Sequence, residues 1–271
     1  MGRAEIRKSQ STQKEKPNYG YTAMKYFAYM GVIGVIGLCT VLIGTFLNPP
    51  LSMLLVIVGV PVAFVGLWIA TSYVLLYNSL FTRKEQEKIW KRISEFSDLR
   101  GDEKILDIGC GMGRASINLA KQLTTGRVIG IDIFRGVSGA SPEPARRNAK
   151  IEGVADKVGF RHGNILNAPF KDNTFDVVNA GSVLHEIHGD KNQQKAMREI
   201  YRVLKPGGKF VTLEILRTPK LFLLMLFFGF VWGPKEYWIS LIKQTGLKKL
   251  NVTIVKGLLD VGIFLAEKPI R

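Results

Sequence analysis

Lys104-Ile105-Leu106-Asp107-Ile108-Gly109-Cys110-Gly111-Met112-Gly113 decides the fold of this 271-residue chain. A short apolar strand, Lys104–Ile108, runs into three glycines at alternate positions, with a carboxylate just before them. Glycine allows positive φ and lets a ligand approach the backbone more closely than a Cβ permits. The helix expected next, from Arg114 to about Leu123, turns its unbonded N–H groups toward whatever fills the turn. A strand, a glycine loop and a helix in this order form a nucleotide cradle. The dinucleotide spacing G-x-G-x-x-G/A is not met: its last position is Arg114 counted from Gly109 and Ser116 counted from Gly111.

Downstream, strands and helices alternate, which implies an α/β fold with a parallel sheet between helical layers over 101–271. Strands are expected at Arg127–Ile131 (ending in Asp132), Val158–His162, Phe175–Asn179 and Lys209–Ile215. Ser141-Pro142-Glu143 reads as an N-cap with proline in the first turn, opening a helix to about Ile151 that stops at Gly153. Further helices are expected over Asp190–Leu204 and Glu236–Thr245, and a closing hairpin over Asn251–Val255 and Val261–Glu267. Residues 133–140 make a long glycine-containing loop that can fold over a ligand.

Upstream, no charged residue occurs between Lys25 and Arg83. Residues 26–82 hold two apolar runs, about 26–47 and 51–77, parted by Asn48-Pro49-Pro50. A helix of about 22 residues covers roughly 33 Å, enough for a bilayer core, and a proline pair ends helices. Two transmembrane helices in a tight hairpin are therefore expected, with Pro61 kinking the second and Tyr26, Tyr29, Tyr73 and Tyr77 as interfacial anchors. The first run is too long for a signal peptide and lacks its small-x-small cleavage site. Arg3, Arg7, Lys8, Lys14, Lys16 and Lys25 precede the hairpin and Arg83, Lys84, Lys88, Lys91 and Arg92 follow it, whereas the turn carries no charge. The N-terminus and the α/β domain are thus both expected on the cytoplasmic side of a cell membrane. Residues 1–25 read as a basic, disordered tail. Residues 83–100 read as an amphipathic connecting helix, with Ile89, Trp90, Ile93 and Phe96 on one side, suited to the lipid surface.

The net charge of +16 suggests an acidic partner, and a hydrophobic fraction of 46% turns that suggestion from nucleic acid toward a membrane. Cys39 and Cys110 lie in unrelated environments and are expected as free thiols. Three scattered histidines make no metal site.

The D-x-G-x-G-x-G turn, together with Phe175-Asp176-Val177-Val178, Leu184-His185 and Leu204-Lys205-Pro206-Gly207-Gly208, resembles the class I S-adenosylmethionine (SAM)-dependent methyltransferases from about residue 85 to the end. The likeness is to the ubiquinone/menaquinone-biosynthesis and small-molecule subgroup, and the hairpin is an addition to its pattern. The resemblance implies a Rossmann-like seven-stranded fold with SAM as cofactor. It implies that Gly109, Cys110, Gly111 and Gly113 lie against the amino-acid part of SAM, with Asp107 supporting its ammonium. Asp132, followed by Ile133, would take the ribose hydroxyls. Asn164 stands where the family usually has an acidic residue for the adenine amino group, and Ile165 would pack on the adenine ring. Gly181 and Ser182 would lie beneath the sulfonium.

Methyl transfer from a sulfonium needs alignment and a dry site, plus a base when the acceptor carries a proton. His185 is the first candidate base, with Glu186 and His188 beside it. Asn179-Ala180-Gly181-Ser182 replaces the D/N-P-P-Y motif of nucleic-acid and protein amino methylases, so a nucleic-acid partner is not expected. Residues 220–233 include twelve consecutive uncharged positions, Leu221 to Trp232, too few to span a bilayer. They are expected as a lid or interfacial wedge that admits a lipophilic small-molecule acceptor, a lipid or isoprenoid quinone. Beyond Leu216 there are nine Lys/Arg against three Asp/Glu, and Lys248, Lys249 and Lys256 can hold the domain on anionic lipid. The alternatives are a methyltransferase of a membrane-protein side chain and a SAM-binding module without catalysis.

Overall fold

The computed structural model describes residues 15–19, 23–80, 89–93, 95, 97–135 and 141–270. Helix α1 (Ala23–Gly44) and helix α2 (Leu51–Leu80) form an antiparallel hairpin. Their backbones touch, and glycine makes that possible. A Cβ on Gly37 would lie 2.4 Å from the backbone nitrogen of Ala63, and one on Gly66 2.6 Å from that of Gly34. Small residues at the crossing let the two backbones approach closely. Outward, the hairpin exposes large apolar side chains such as Val32, Ile36, Leu42, Phe46, Ile57 and Phe64.

Two full spans were expected. Among the described residues, Leu51–Leu75 is long and apolar enough to cross a membrane, while the apolar stretch in α1, Ala28–Gly44, is shorter. The first run does not stay helical to Leu47. Its last turn tightens, with Thr45 N–H donating to Leu42 O and Phe46 N–H to Ile43 O, because the residues before the proline pair are driven out of the helical region.

The sheet order is β3-β2-β1-β4-β5-β7-β6. The strands are β1 (Lys104–Ile108), β2 (Arg127–Asp132), β3 (Val158–His162), β4 (Phe175–Gly181), β5 (Leu204–Ile215), β6 (Lys248–Val255) and β7 (Val261–Glu267). The first five run parallel; β7 is antiparallel to both β5 and β6. Chain order reverses between β1 and β4, where open α/β sheets leave a crevice at the strands' carboxyl ends. Strand β5 begins five residues earlier than expected: Phe175 pairs with Leu204 before the Pro206 turn, and the register resumes at Val177–Lys209.

Leu106, Val178 and Phe210 face one core layer, covered by α5 (Asp190–Val203) and α7 (Lys235–Gln244). Ile105, Val177 and Val211 face the other, covered by α3 (Arg114–Ala120) and α4 (Glu143–Ile151). Two expectations change here. Residues 89–93 are helical, but Ile89 and Ile93 are buried in that second layer, so their apolar side covers the sheet instead of lipid; residues 83–88 and Phe96 lie outside the described residues. The tail is also not uniformly disordered. Residues 15–19 pack on the domain, with Tyr19 against the second core layer; residues 1–14 and 20–22 lie outside the described residues.

Candidate active site

Gly109, Gly111 and Gly113 all have positive φ (66°, 50° and 84°), the conformation that the spacing demands. The loop is fastened to β2. Gly109 and Cys110 N–H groups both donate to Ile131 O (2.8 and 3.1 Å), and Gly111 N–H donates to Asp132 Oδ2 (2.9 Å). Asp132 Oδ1 accepts from Phe134 N–H at 2.6 Å. Both oxygens are thereby fixed in direction. Ile133, next along, is exposed.

Asp107 lies beneath the loop and not on its surface. It is 1% exposed, with one oxygen bonded to the Ser116 hydroxyl and the other accepting from Asn179 Nδ2 at 2.7 Å. Burial lifts its carboxyl from the ordinary 3.8 to about 6, against the opposing pull of those two hydrogen bonds. Its contacts place it as a brace between β1, α3 and β4. Cys110 is likewise turned inward, its thiol against Gly130, and burial pushes its pKa up, so only its backbone can serve a ligand.

On the adenine side, Asn164 is exposed and its Oδ1 accepts from Leu166 N–H at 2.9 Å, capping the turn Ile165–Asn167. The amide carbonyl expected to meet adenine is thus partly engaged. Ile165 is buried. At the end of β4, Gly181 is half-buried, and Ser182 has φ of 58° with its N–H held by Leu213 O at 2.6 Å. A Cβ on Gly181 would come within 3.5 Å of the Trp90 ring, so the segment ahead of β1 also walls this end.

His185 occupies a short turn, Leu184–Glu186, after β4. Its Nδ1 lies 2.7 Å from Oε2 of Glu214, which is fully buried near the end of β5; the other Glu214 oxygen accepts from Leu184 N–H at 2.9 Å. Burial opposes charge on His185, but the Glu214 hydrogen bond and the charges of Glu214 and Glu186 outweigh it and raise its pKa above 6.5. The Trp232 ring is centred 5.6 Å from the imidazole. Glu186 is close enough to Asp132 and Glu214 for their charges to add to the desolvation that raises its own pKa. His188 is exposed and its carbonyl caps Asn192; it does not join the pair.

Sequence reasoning missed Glu214, Asn179 and Ser116. A glutamate inside the apolar run Phe210-Val211-Thr212-Leu213-Glu214-Ile215 was the available signal, since a carboxylate buried in a central strand must have a partner. Residues 136–140 of the long loop after Asp132 lie outside the described residues.

A reversed-order parallel sheet with an antiparallel last strand, a glycine cradle at the carboxyl end of β1 and a fixed carboxylate ending β2 are the fold of the class I methyltransferases. Residues 106–212 match the methyltransferase-domain family. The chain is 44% identical over 117 residues to a demethylmenaquinone methyltransferase of Lactiplantibacillus plantarum (43% of this chain, 46% of that one). It is 34% identical over 181 residues to one of Symbiobacterium thermophilum (66% and 64%). The chain therefore spans between about half and just under two thirds of these relatives. Among solved structures it resembles the cyclase SpnF (TM-score 0.57, 20% identity, 68% of this chain and 81% of that one). It also resembles geranyl diphosphate methyltransferase in complex with SAM (TM-score 0.54, 16% identity, 68% and 85%). At such identities these likenesses establish the fold, and a cyclase among them shows that the fold does not dictate the reaction.

Proposed function

We propose that this chain is a membrane-embedded, SAM-dependent methyltransferase acting on a lipophilic, quinone-like acceptor. The observation that carries the reading is the His185–Glu214 pair set against Trp232, the last residue of the apolar insertion.

The cradle fits a cationic cofactor. In a chain of net charge +16, four carboxylates (Asp107, Asp132, Glu186 and Glu214) gather at or just beyond the carboxyl ends of β1, β2, β4 and β5. Gly109 to Gly113 offer the backbone, Asp132 the ribose acceptor, and Asn164 and Ile165 the adenine wall. SAM, when bound, supplies an electrophilic methyl group on a sulfonium. With Nδ1 engaged by Glu214, Nε2 of His185 is the nitrogen left to take a proton from an acceptor hydroxyl. Glu214 fixes the tautomer and favours the imidazolium that results. Trp232 and the buried side chains around it keep water from the reacting atoms.

The membrane part of the reading rests on the outer face of the hairpin, whose exposed apolar side chains far exceed what a water-facing surface carries. The insertion continues that face. Helix α6 (Pro219–Met225) lies beside α2, and Leu223, Phe230 and Val231 are exposed. Leu221 and Met225 anchor it through Leu259. A greasy acceptor can thus pass from the bilayer to Trp232 without crossing water. The N-terminus and the catalytic domain are assigned to the cytoplasmic side by the basic flanks, and the relatives' name supports a quinone-like acceptor.

The test is methyl transfer by the full chain in nanodiscs, using labelled SAM and a reduced naphthoquinone with an isoprenoid tail, with products identified by mass spectrometry. Label on the quinone is expected. Label found only on membrane protein would favour a side-chain acceptor, and SAM binding without any labelled product would refute catalysis.

A further inference from the structure

The side chain of Asn148, on α4, is 2% exposed and makes three hydrogen bonds, two of them to Asn18, 130 residues away. Its Oδ1 accepts from Asn18 N–H at 2.9 Å. Its Nδ2 donates to Asn18 O at 2.8 Å and to Met112 O at 3.0 Å. Met112 sits between Gly111 and Gly113, so one amide ties the N-terminal segment to the middle of the cofactor loop. Neighbouring contacts hold the segment in place. The Arg114 guanidinium lies 4.8 Å from the centre of the Tyr19 ring, the Tyr19 hydroxyl donates to Glu152 at 3.2 Å, and Glu15 pairs with Arg147. Helix α1 starts at Ala23, four residues beyond Tyr19.

We propose that residues 15–19 are a strap that sets the geometry of the glycine loop, with Asn148 as the positioning residue that joins the strap to the cofactor cradle. The inference rests on the cradle holding SAM. The physical reason is the cost of mobility in a glycine loop. Gly109, Gly111 and Gly113 give the loop more backbone freedom than any other residue type would, and binding SAM must remove that freedom. Gly109, Cys110 and Gly111 N–H groups fasten the loop to β2, and the bond from Asn148 to the Met112 carbonyl adds an anchor at its middle. Asn148 has free side-chain torsions, and the two bonds from Asn18 hold it in that one orientation. A ligand then meets a loop already ordered, which raises affinity without adding any ligand contact.

The full chain in nanodiscs provides the test, with the Kd of SAM read by calorimetry and acceptor KM by turnover. Asn18→Pro removes the N–H that Asn148 accepts, at an exposed position of the strap. Asn148→Leu keeps the volume and removes all three bonds. Each variant is expected to weaken SAM binding about fivefold or more, the equivalent of about one neutral hydrogen bond, with acceptor KM unchanged. Hydrogen exchange should rise at residues 109–113. A SAM Kd within about twofold of the unaltered chain for Asn18→Pro would overturn the proposal, whether or not Asn148→Leu folds. A Kd and an acceptor KM that weaken together would also overturn it, because that is the mark of general destabilisation. Failure of the unaltered chain to bind SAM would instead remove the methyltransferase reading on which the strap depends.

Discussion

Replacing Asp107 by asparagine should stabilise this protein at neutral pH even though it removes the acidic residue of the glycine motif. The folded state keeps the Asp107 proton up to about pH 6, whereas an ordinary aspartate releases it near 3.8. Between those values the folded chain binds more protons than the unfolded one, so the contribution of Asp107 to stability falls as pH rises through the window. Each pH unit is about 1.4 kcal/mol, which makes the ionised carboxylate a cost of about 3 kcal/mol above pH 6. Asparagine at 107 is neutral at every pH. Its carbonyl can accept from Asn179 and its amide can donate to Ser116, so the buried bonds survive. The stability of Asp107→Asn relative to the parent should therefore improve by about 3 kcal/mol between pH 4 and pH 7.5, or about 6–12 °C in melting temperature for a domain of this size. Tryptophan fluorescence melts of the full chain in detergent at the two pH values measure it. A difference in melting temperature that is the same at pH 4 and pH 7.5 would show that Asp107 is not a buried, costly charge.

Two further perturbations probe the dyad and the hairpin. Glu214→Gln keeps an acceptor for Leu184 N–H but withdraws the carboxylate that raises the pKa of His185. Turnover should drop about tenfold or more, and the acid limb of the pH–rate profile should move to lower pH; an unmoved limb would exclude His185 as the base. Gly37→Leu places a side chain where even a Cβ would lie 2.4 Å from the Ala63 backbone. The hairpin should be forced apart at a cost of about 1–3 kcal/mol or more, read as a lower melting temperature, while a variant as stable as the parent would contradict the backbone contact.

What was legible in the sequence was what neighbours in sequence decide. Lys104–Ile108 is apolar on both faces and stops at glycines, so its place as a central strand and the turn after it follow from local chemistry. The hairpin was legible for the same reason: no residue between Lys25 and Arg83 carries a charge, and a proline pair interrupts a helix. What was illegible depends on partners far along the chain. Residues 15–19, Glu-Lys-Pro-Asn-Tyr, have the composition of a disordered tail, and their order comes from Asn148 and Arg114, which local pattern does not bring near. Local pattern likewise does not show that Asp107 is bonded to Ser116 and Asn179. Glu214 is the counterpart: its place in an apolar strand implied a buried partner but not which one, and the partner, His185, lies 29 residues away across the β4–β5 pair. The motif thus names the cradle, and the long-range contacts supply the partners that fix its carboxylates.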